Sequence, residues 1–295
     1  MGIVSGAAIV AHHPGLFRPE ADRVALGNGR DSDLVQGFDR VRARMDMAGA
    51  DTLVIIDTHW FTTLRHLVAG AERYSGVYTS PELPWIIADV PYDYRGAPEL
   101  AREIERIGVS GGLPVTNATN PRIVPDYPTV NLLSKLWRGE RILRVGICQN
   151  AACEHFLAMG AVIGEAIASV DCRAILLASG ALSHRMIDLD FVPRHPCNWH
   201  PDNISDPAHV TLDHEIMALW AEGRHAEVIA RYPEMRAAAY EGLGGHYLQM
   251  VGVLGGRRCA ARGERLTDYE NAVGTANAHI WFDVAGEAGN REIRS

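Results

Sequence analysis

Apolar runs of strand length recur along this chain, and three of them are followed closely by a histidine. Residues 3–11, IVSGAAIVA, run directly into His12, His13, Pro14 and Gly15, and the Pro-Gly pair stops a strand and opens a loop. Residues 52–57 begin the stretch TLVIIDTHW, a buried strand that leads into Asp57, Thr58 and His59. Residues 174–178, AILLA, end in Ser179-Gly180-Ala181-Leu182-Ser183-His184. Between the first two strands, Leu34, Val35, Phe38, Val41 and Met45 fall on one helical face, with Asp31 or Ser32 as the cap and Gly49 as the stop. A strand, a helix and a strand in about 55 residues predict a βαβ unit with parallel strands.

The same reading predicts further strands at 66–70, 141–148 and 274–282. Helices are expected from Pro98 through Leu100, Ile104 and Ile107 to Gly108, over 129–137 and over 155–169. Another runs from the Asp206-Pro207 cap to Glu222, and two more lie near 224–231 and 243–254. Residues 19–30, most of 110–128, and 193–207 with its four prolines read as loops, the last a candidate lid or interface segment. Residues 76–96, rich in Pro and Tyr, show no usable periodicity, and the last ten or so residues are polar and expected to be loose. No repeat or linker divides the chain. The expectation is an α/β single domain over 1–295, with a central, largely parallel or mixed sheet, helices on both faces, and the active site at the carboxyl ends of the strands.

Composition narrows the partners. A net charge of −8 offers no basic face, so neither nucleic acid nor an anionic membrane is expected. The five cysteines include no C-x-x-C pair, and no charged and apolar leader opens the chain, so the expected setting is cytoplasmic.

If the three strands are parallel neighbours, His12 or His13, His59 and His184 share one crevice. Two histidines and a carboxylate on one face of a metal leave positions open for substrate and O2, as in non-heme Fe(II) oxygenases. The carboxylate must come from elsewhere. Glu241 is a candidate, because Gly242, Gly244 and Gly245 around it let the backbone approach closely. The same set suits a zinc-dependent hydrolase. His195, Cys197 and His200 form a weaker metal candidate, no G-x-S-x-G elbow supports a nucleophilic Ser183, and no G-x-G-x-x-G supports a dinucleotide. Trp137, Trp199 and Trp220 suit an interface or a core equally.

The stretches DTHW (57–60), GVYTSPELP (76–84), ASGALSHR (178–185) and the YEG…GVLG region (240–255), with AAIVAHHP at 7–14 and VGTAN at 273–277, resemble the class III, or LigB-type, extradiol ring-cleavage dioxygenases, most closely the homoprotocatechuate 2,3-dioxygenase branch. The resemblance spans almost the whole chain. It implies a metal, Fe(II) or alternatively Mn(II), held by His12, His59 and Glu241. It implies His184 as acid/base and Tyr127 near the substrate; His13 departs from the apolar residue common at its position in the family, and a direct substrate contact from it is expected. Residues 126–129 read DYPT, with Pro128 where the family has glycine, which leaves the placement of Tyr127 open. The implied reaction inserts O2 into a small aromatic diol to give a muconic semialdehyde. Catechol, protocatechuate and 2-aminophenol are alternatives to homoprotocatechuate, and Arg122 or Arg185 is the expected partner of a side-chain carboxylate. The resemblance further implies a homo-oligomer; a non-catalytic partner subunit is the remaining alternative.

Overall fold

A computed structural model describes residues 1–284 of the chain. Its strands are β1 (Ile3–Val10), β2 (Thr52–Thr62), β3 (His66–Ala69), β4 (Arg73–Tyr78), β5 (Val90–Arg95) and β6 (Val115–Ala118), followed by β7 (Arg141–Cys148), β8 (Arg173–Ser179), β9 (Gly263–Arg265), β10 (Glu270–Ala272), β11 (Thr275–Asn277) and β12 (Ile280–Phe282). Its helices are α1 (Glu20–Leu26), α2 (Asp33–Ala48), α3 (Pro98–Ser110), α4 (Tyr127–Leu136), α5 (Cys153–Ser169), α6 (Pro207–Glu222), α7 (His225–Ala230), α8 (Tyr232–Ala237) and α9 (Gly245–Val253).

Eight strands form one mixed sheet in the order β6-β3-β7-β2-β8-β1-β12-β9. The central four, β7, β2, β8 and β1, are mutually parallel, while β3 and β12 join their edges antiparallel. Because strand side chains alternate, the buried central strands serve two cores. Ile9, Val54, Ile56 and Leu176 pack with α3, α5 and α9, whereas Val10, Leu53, Ile55 and Leu177 pack with α2 and α4. Helices therefore cover both faces, as the apolar runs imply. No helix among the described residues is long and apolar enough to cross a membrane.

Several sequence expectations change. β1 and β2 are parallel but not neighbours, because β8 lies between them. The histidine of the third run is thereby carried by the middle strand. β2 is longer than its apolar run, since it re-pairs with β7 at Phe61 after a register shift that begins at Ile56. Residues 19–30 contain the helix α1, opened by Pro19, and residues 76–96 belong largely to the β4–β5 hairpin. The loop 110–128 contains β6, and the expected last strand divides at 278–279 into β11 and β12, which pair in different sheets. The expectation for the last ten or so residues lies outside the described residues.

The segment 193–207 is tied down by side-chain hydrogen bonds to its own backbone. The Asn203 amide donates to the carbonyls of His195 and Cys197, and Arg194 donates to those of Asp202 and Ile204. His195 and His200 stack, and the Nδ1 atom of each accepts a nearby backbone N–H. One ring nitrogen of each thus serves a turn, and these residues form no metal-ligating group with Cys197 among the described residues.

Candidate metal centre

The carboxyl ends of β1, β8 and β2 are level, with Val10 and Asp57 both opposite Ser179. His12 follows β1 by two residues. Its Nδ1 meets the Ser179 hydroxyl at 2.9 Å, and its backbone carbonyl accepts from the Asn131 amide at 2.8 Å. These contacts fix the ring so that Nε2 points at Glu241 Oε1, 3.1 Å away. His59 is placed by the irregularity in β2. Buried Asp57 accepts the backbone N–H groups of His59 and Trp60 and, through its second oxygen, the Thr129 hydroxyl. The His59 Nε2 atom then lies 3.1 Å from the same Glu241 oxygen.

Glu241 opens a 3-10 turn, Glu241–Gly244, whose backbone is left-handed at Gly242 (φ 56°), Leu243 (φ 63°) and Gly244 (φ 72°). A Cβ on Gly242 would lie 2.6 Å from Thr58 Cγ2. This close approach lets the Thr58 hydroxyl donate to Glu241 Oε1 at 2.8 Å, while the Ala181 N–H holds Oε2.

His12, His59 and Glu241 offer three ligand atoms within 4.8 Å of one another. Donors at about 2.1 Å from one ion and at right angles lie about 3.0 Å apart, so the two 3.1 Å spacings fit ligands sharing one metal. Burial raises the Glu241 carboxyl pKa, but the charges of His12 and His184 and the hydrogen bonds of His12 and His59 outweigh it and hold the group well below its ordinary range. For His59, burial lowers the pKa and the Glu241 carboxylate more than restores it, giving a net rise. A metal bound here would displace the protons these ligands otherwise hold.

The family described as the catalytic LigB subunit of aromatic ring-opening dioxygenase matches residues 6–281. The chain belongs to this LigB family. It is 29% identical to 3,4-dihydroxyphenylacetate 2,3-dioxygenase of Escherichia coli over 259 residues, covering 86% of this chain and 91% of the relative. It is 26% identical to the 2-aminophenol 1,6-dioxygenase beta subunit of a Pseudomonas species over 298 residues, covering 96% and 94%. A crystal structure of an uncharacterized Escherichia coli K12 protein shares the LigB fold at a TM-score of 0.61 and 16% identity, covering 94% of this chain and 98% of that one.

A largely apolar cavity of about 390 Å3 reaches this candidate centre, within the range of small-molecule sites. His12, His13, Tyr127, His184 and Glu241 line its inner part. The Tyr127 hydroxyl lies 2.9 Å from His59 Nε2, and burial, then the Glu241 charge, pushes its pKa above the ordinary phenol value, so it is a neutral phenol. Pro128 does not displace it, because Tyr127 and Pro128 occupy the first turn of α4, where proline is accommodated. His184 Nε2 stands 4.0 Å from Glu241 Oε1. The His13 Nε2 atom is buried without a partner, and burial followed by the His12 charge lowers its pKa to about 3. Neither Arg122 nor Arg185 lines the cavity; Arg18 does.

One supporting group had no signal in the sequence. Asp213 of α6 is fully buried and accepts the Ser183 hydroxyl at 2.7 Å, the Ser183 N–H at 3.2 Å, the Tyr240 hydroxyl at 2.5 Å and the Tyr269 hydroxyl at 2.7 Å. Ser183 precedes His184 and Tyr240 precedes Glu241, so one carboxylate ties together the two segments carrying these residues.

Proposed function

We propose that the chain is an Fe(II)-dependent extradiol dioxygenase that opens the ring of a homoprotocatechuate-like diol with both atoms of O2, giving a muconic semialdehyde. The observation that carries this reading is the convergence of His12, His59 and Glu241 on one point at the inner end of a ring-sized cavity. This donor set suits Mn(II) as well as Fe(II). What the metal supplies, when bound, is a common point at which diol and O2 are held side by side and electrons pass between them.

The chain supplies the rest. His184, on the cavity wall beside the cluster, takes the diol proton on Nε2 and returns it as the ring opens. An imidazole suits both tasks because its ordinary pKa is near neutrality. Tyr127 stays protonated and donates its hydroxyl to a substrate oxygen. His13 Nε2, buried and unpartnered, takes a hydrogen bond with the substrate and ends its isolation. Arg18 makes no ion pair with the described residues and is the lining arginine available to a side-chain carboxylate. The protein acts as a homo-oligomer, which light scattering tests directly.

The test is O2 uptake after anaerobic loading with Fe(II), against homoprotocatechuate, protocatechuate, catechol and 2-aminophenol. Uptake with a yellow ring-opened product, fastest on homoprotocatechuate and slowed by Arg18→Ala on the two carboxylate-bearing diols but not on catechol or 2-aminophenol, is expected. Tight zinc with no uptake on any of the four would refute the dioxygenase reading.

A further inference from the structure

Two cavities meet at the candidate centre. The first, described above, touches His12 but not His59. A second, of about 350 Å3, touches His59 but not His12, and is walled by Thr58, Phe61, Ala239, Leu243 and Arg236. His184 and Glu241 belong to both. The exposures agree: the His59 side chain is 25% accessible, against 3% for His12.

The two walls differ in what they can bind. The first cavity offers the unpartnered His13 nitrogen and the Tyr127 phenol, which suit an aromatic ring edged with hydroxyls. In the second, the Thr58 hydroxyl is already committed to Glu241, and Arg236 is an exposed residue. Phe61, Ala239, Gly242 and Leu243 make up most of the remaining wall. Apart from the groups of the centre itself and the exposed Arg236, this wall offers little to orient a diol, but a small uncharged molecule passes such a wall at little cost. The wall is also held in an unusual form, with Ala239 at φ 53° and Leu243 at φ 63°. Non-glycine residues rarely adopt such backbone, and it clusters at functional sites.

A reaction that joins two substrates at one centre needs a way in for the second once the first is seated. A diol filling the inner part of the first cavity blocks that approach and leaves the His59 side open. We propose that the second cavity is the entry and holding site for O2, separate from the diol cavity. This rests on the dioxygenase reading above.

The test narrows each cavity in turn in the iron-loaded enzyme. Phe61→Trp and Arg236→Trp lie at exposed or half-exposed positions of the second cavity. Each is expected to lower kcat/KM for O2 by about three-fold or more, with iron content and kcat/KM for the diol at saturating O2 retained. Ile187→Trp, in the first cavity, is expected to do the reverse. A readout independent of turnover is xenon pressurisation of metal-free crystals, which should seat xenon between Phe61 and Leu243 in the wild type and not in Phe61→Trp. An unchanged O2 parameter in both variants overturns the proposal even if xenon binds, and so does an equal loss for diol and O2. A wild type that consumes no O2 with any diol removes the dioxygenase reading and this role with it, while the xenon result still reports on the cavity.

Discussion

Replacing Gly242 by alanine isolates the contact on which the geometry of Glu241 depends. Gly242 has φ 56°, where an L-residue costs about 1–2 kcal/mol. The new Cβ would also meet Thr58 Cγ2 at 2.6 Å, Thr58 Cβ at 3.1 Å and Ile147 Cγ1 at 3.3 Å. Inserting a methyl group into packed surroundings adds about 1–3 kcal/mol, so the total is about 2–5 kcal/mol. Relief requires the turn and Thr58 to move apart, which breaks the 2.8 Å bond from Thr58 to the Glu241 oxygen that faces both histidines. Losing such support around metal ligands typically weakens metal binding about 10–100-fold. Gly256→Ala is the control, since Gly256 has φ 62° but nothing within 4 Å of its would-be Cβ. It should show the conformational cost alone, with metal affinity intact. Urea unfolding of the metal-free proteins and calorimetric titration with Mn(II) measure both quantities. A Gly242→Ala protein matching Gly256→Ala in stability and metal affinity would refute the close-contact argument.

Three further outcomes follow from the same geometry. Asp213→Asn relieves a buried charge whose pKa is raised by burial beyond what its hydrogen bonds offset, but it turns an amide toward three hydroxyl groups. The opposing effects leave Tm within a few degrees, while kcat falls about ten-fold or more; an unchanged kcat would remove Asp213 from any positioning role. His184→Phe keeps bound iron, measured by elemental analysis, and loses most of its turnover, about 100-fold on general acid–base magnitudes; full activity would discard the proton role. His66 and His279 are buried and their pKa values are lowered to about 4, mainly by burial. Both are neutral in the fold and take up protons on unfolding, so their contribution is complete above pH 6.5 and is lost as pH falls toward 4. At pH 5 the loss is about 2 kcal/mol each, and equal urea stability of the metal-free protein at pH 5 and pH 7 would contradict it.

The sequence carried the parts of this molecule that are local. The central strands announce themselves as apolar runs, and two of the histidines stand within a few residues of their ends. The order of parallel strands is not local, because hydrogen bonds between distant segments set it. The insertion of β8 between β1 and β2 was therefore invisible, although it is what brings His184 beside the other two. The short helices α1 and α8 and the β4–β5 hairpin bury too few residues for their periodicity to stand out. Among the site residues, Glu241 was one acid of 36, marked only by the glycines around it, until family resemblance strengthened the choice. The contacts of two supporting acids are set by the fold, although Asp57 itself lies in the DTHW stretch. Asp57 reaches Thr129 and Asp213 reaches Ser183, Tyr240 and Tyr269 only through the fold. Arg18 took the cavity position expected of Arg122 or Arg185 because the turn after His13 carries it there.

The proposed reaction requires that His12, His59 and Glu241 hold a divalent iron at which a diol is opened by O2. The most direct measurement is a single turnover of the wild type and of His59→Ala, each loaded anaerobically with Fe(II), given excess homoprotocatechuate and then one equivalent of O2. The account predicts about one iron and one ring-opened product per wild-type chain, and neither in the variant. Stoichiometric iron with no ring-opened product from any diol, or full turnover by His59→Ala, would contradict it.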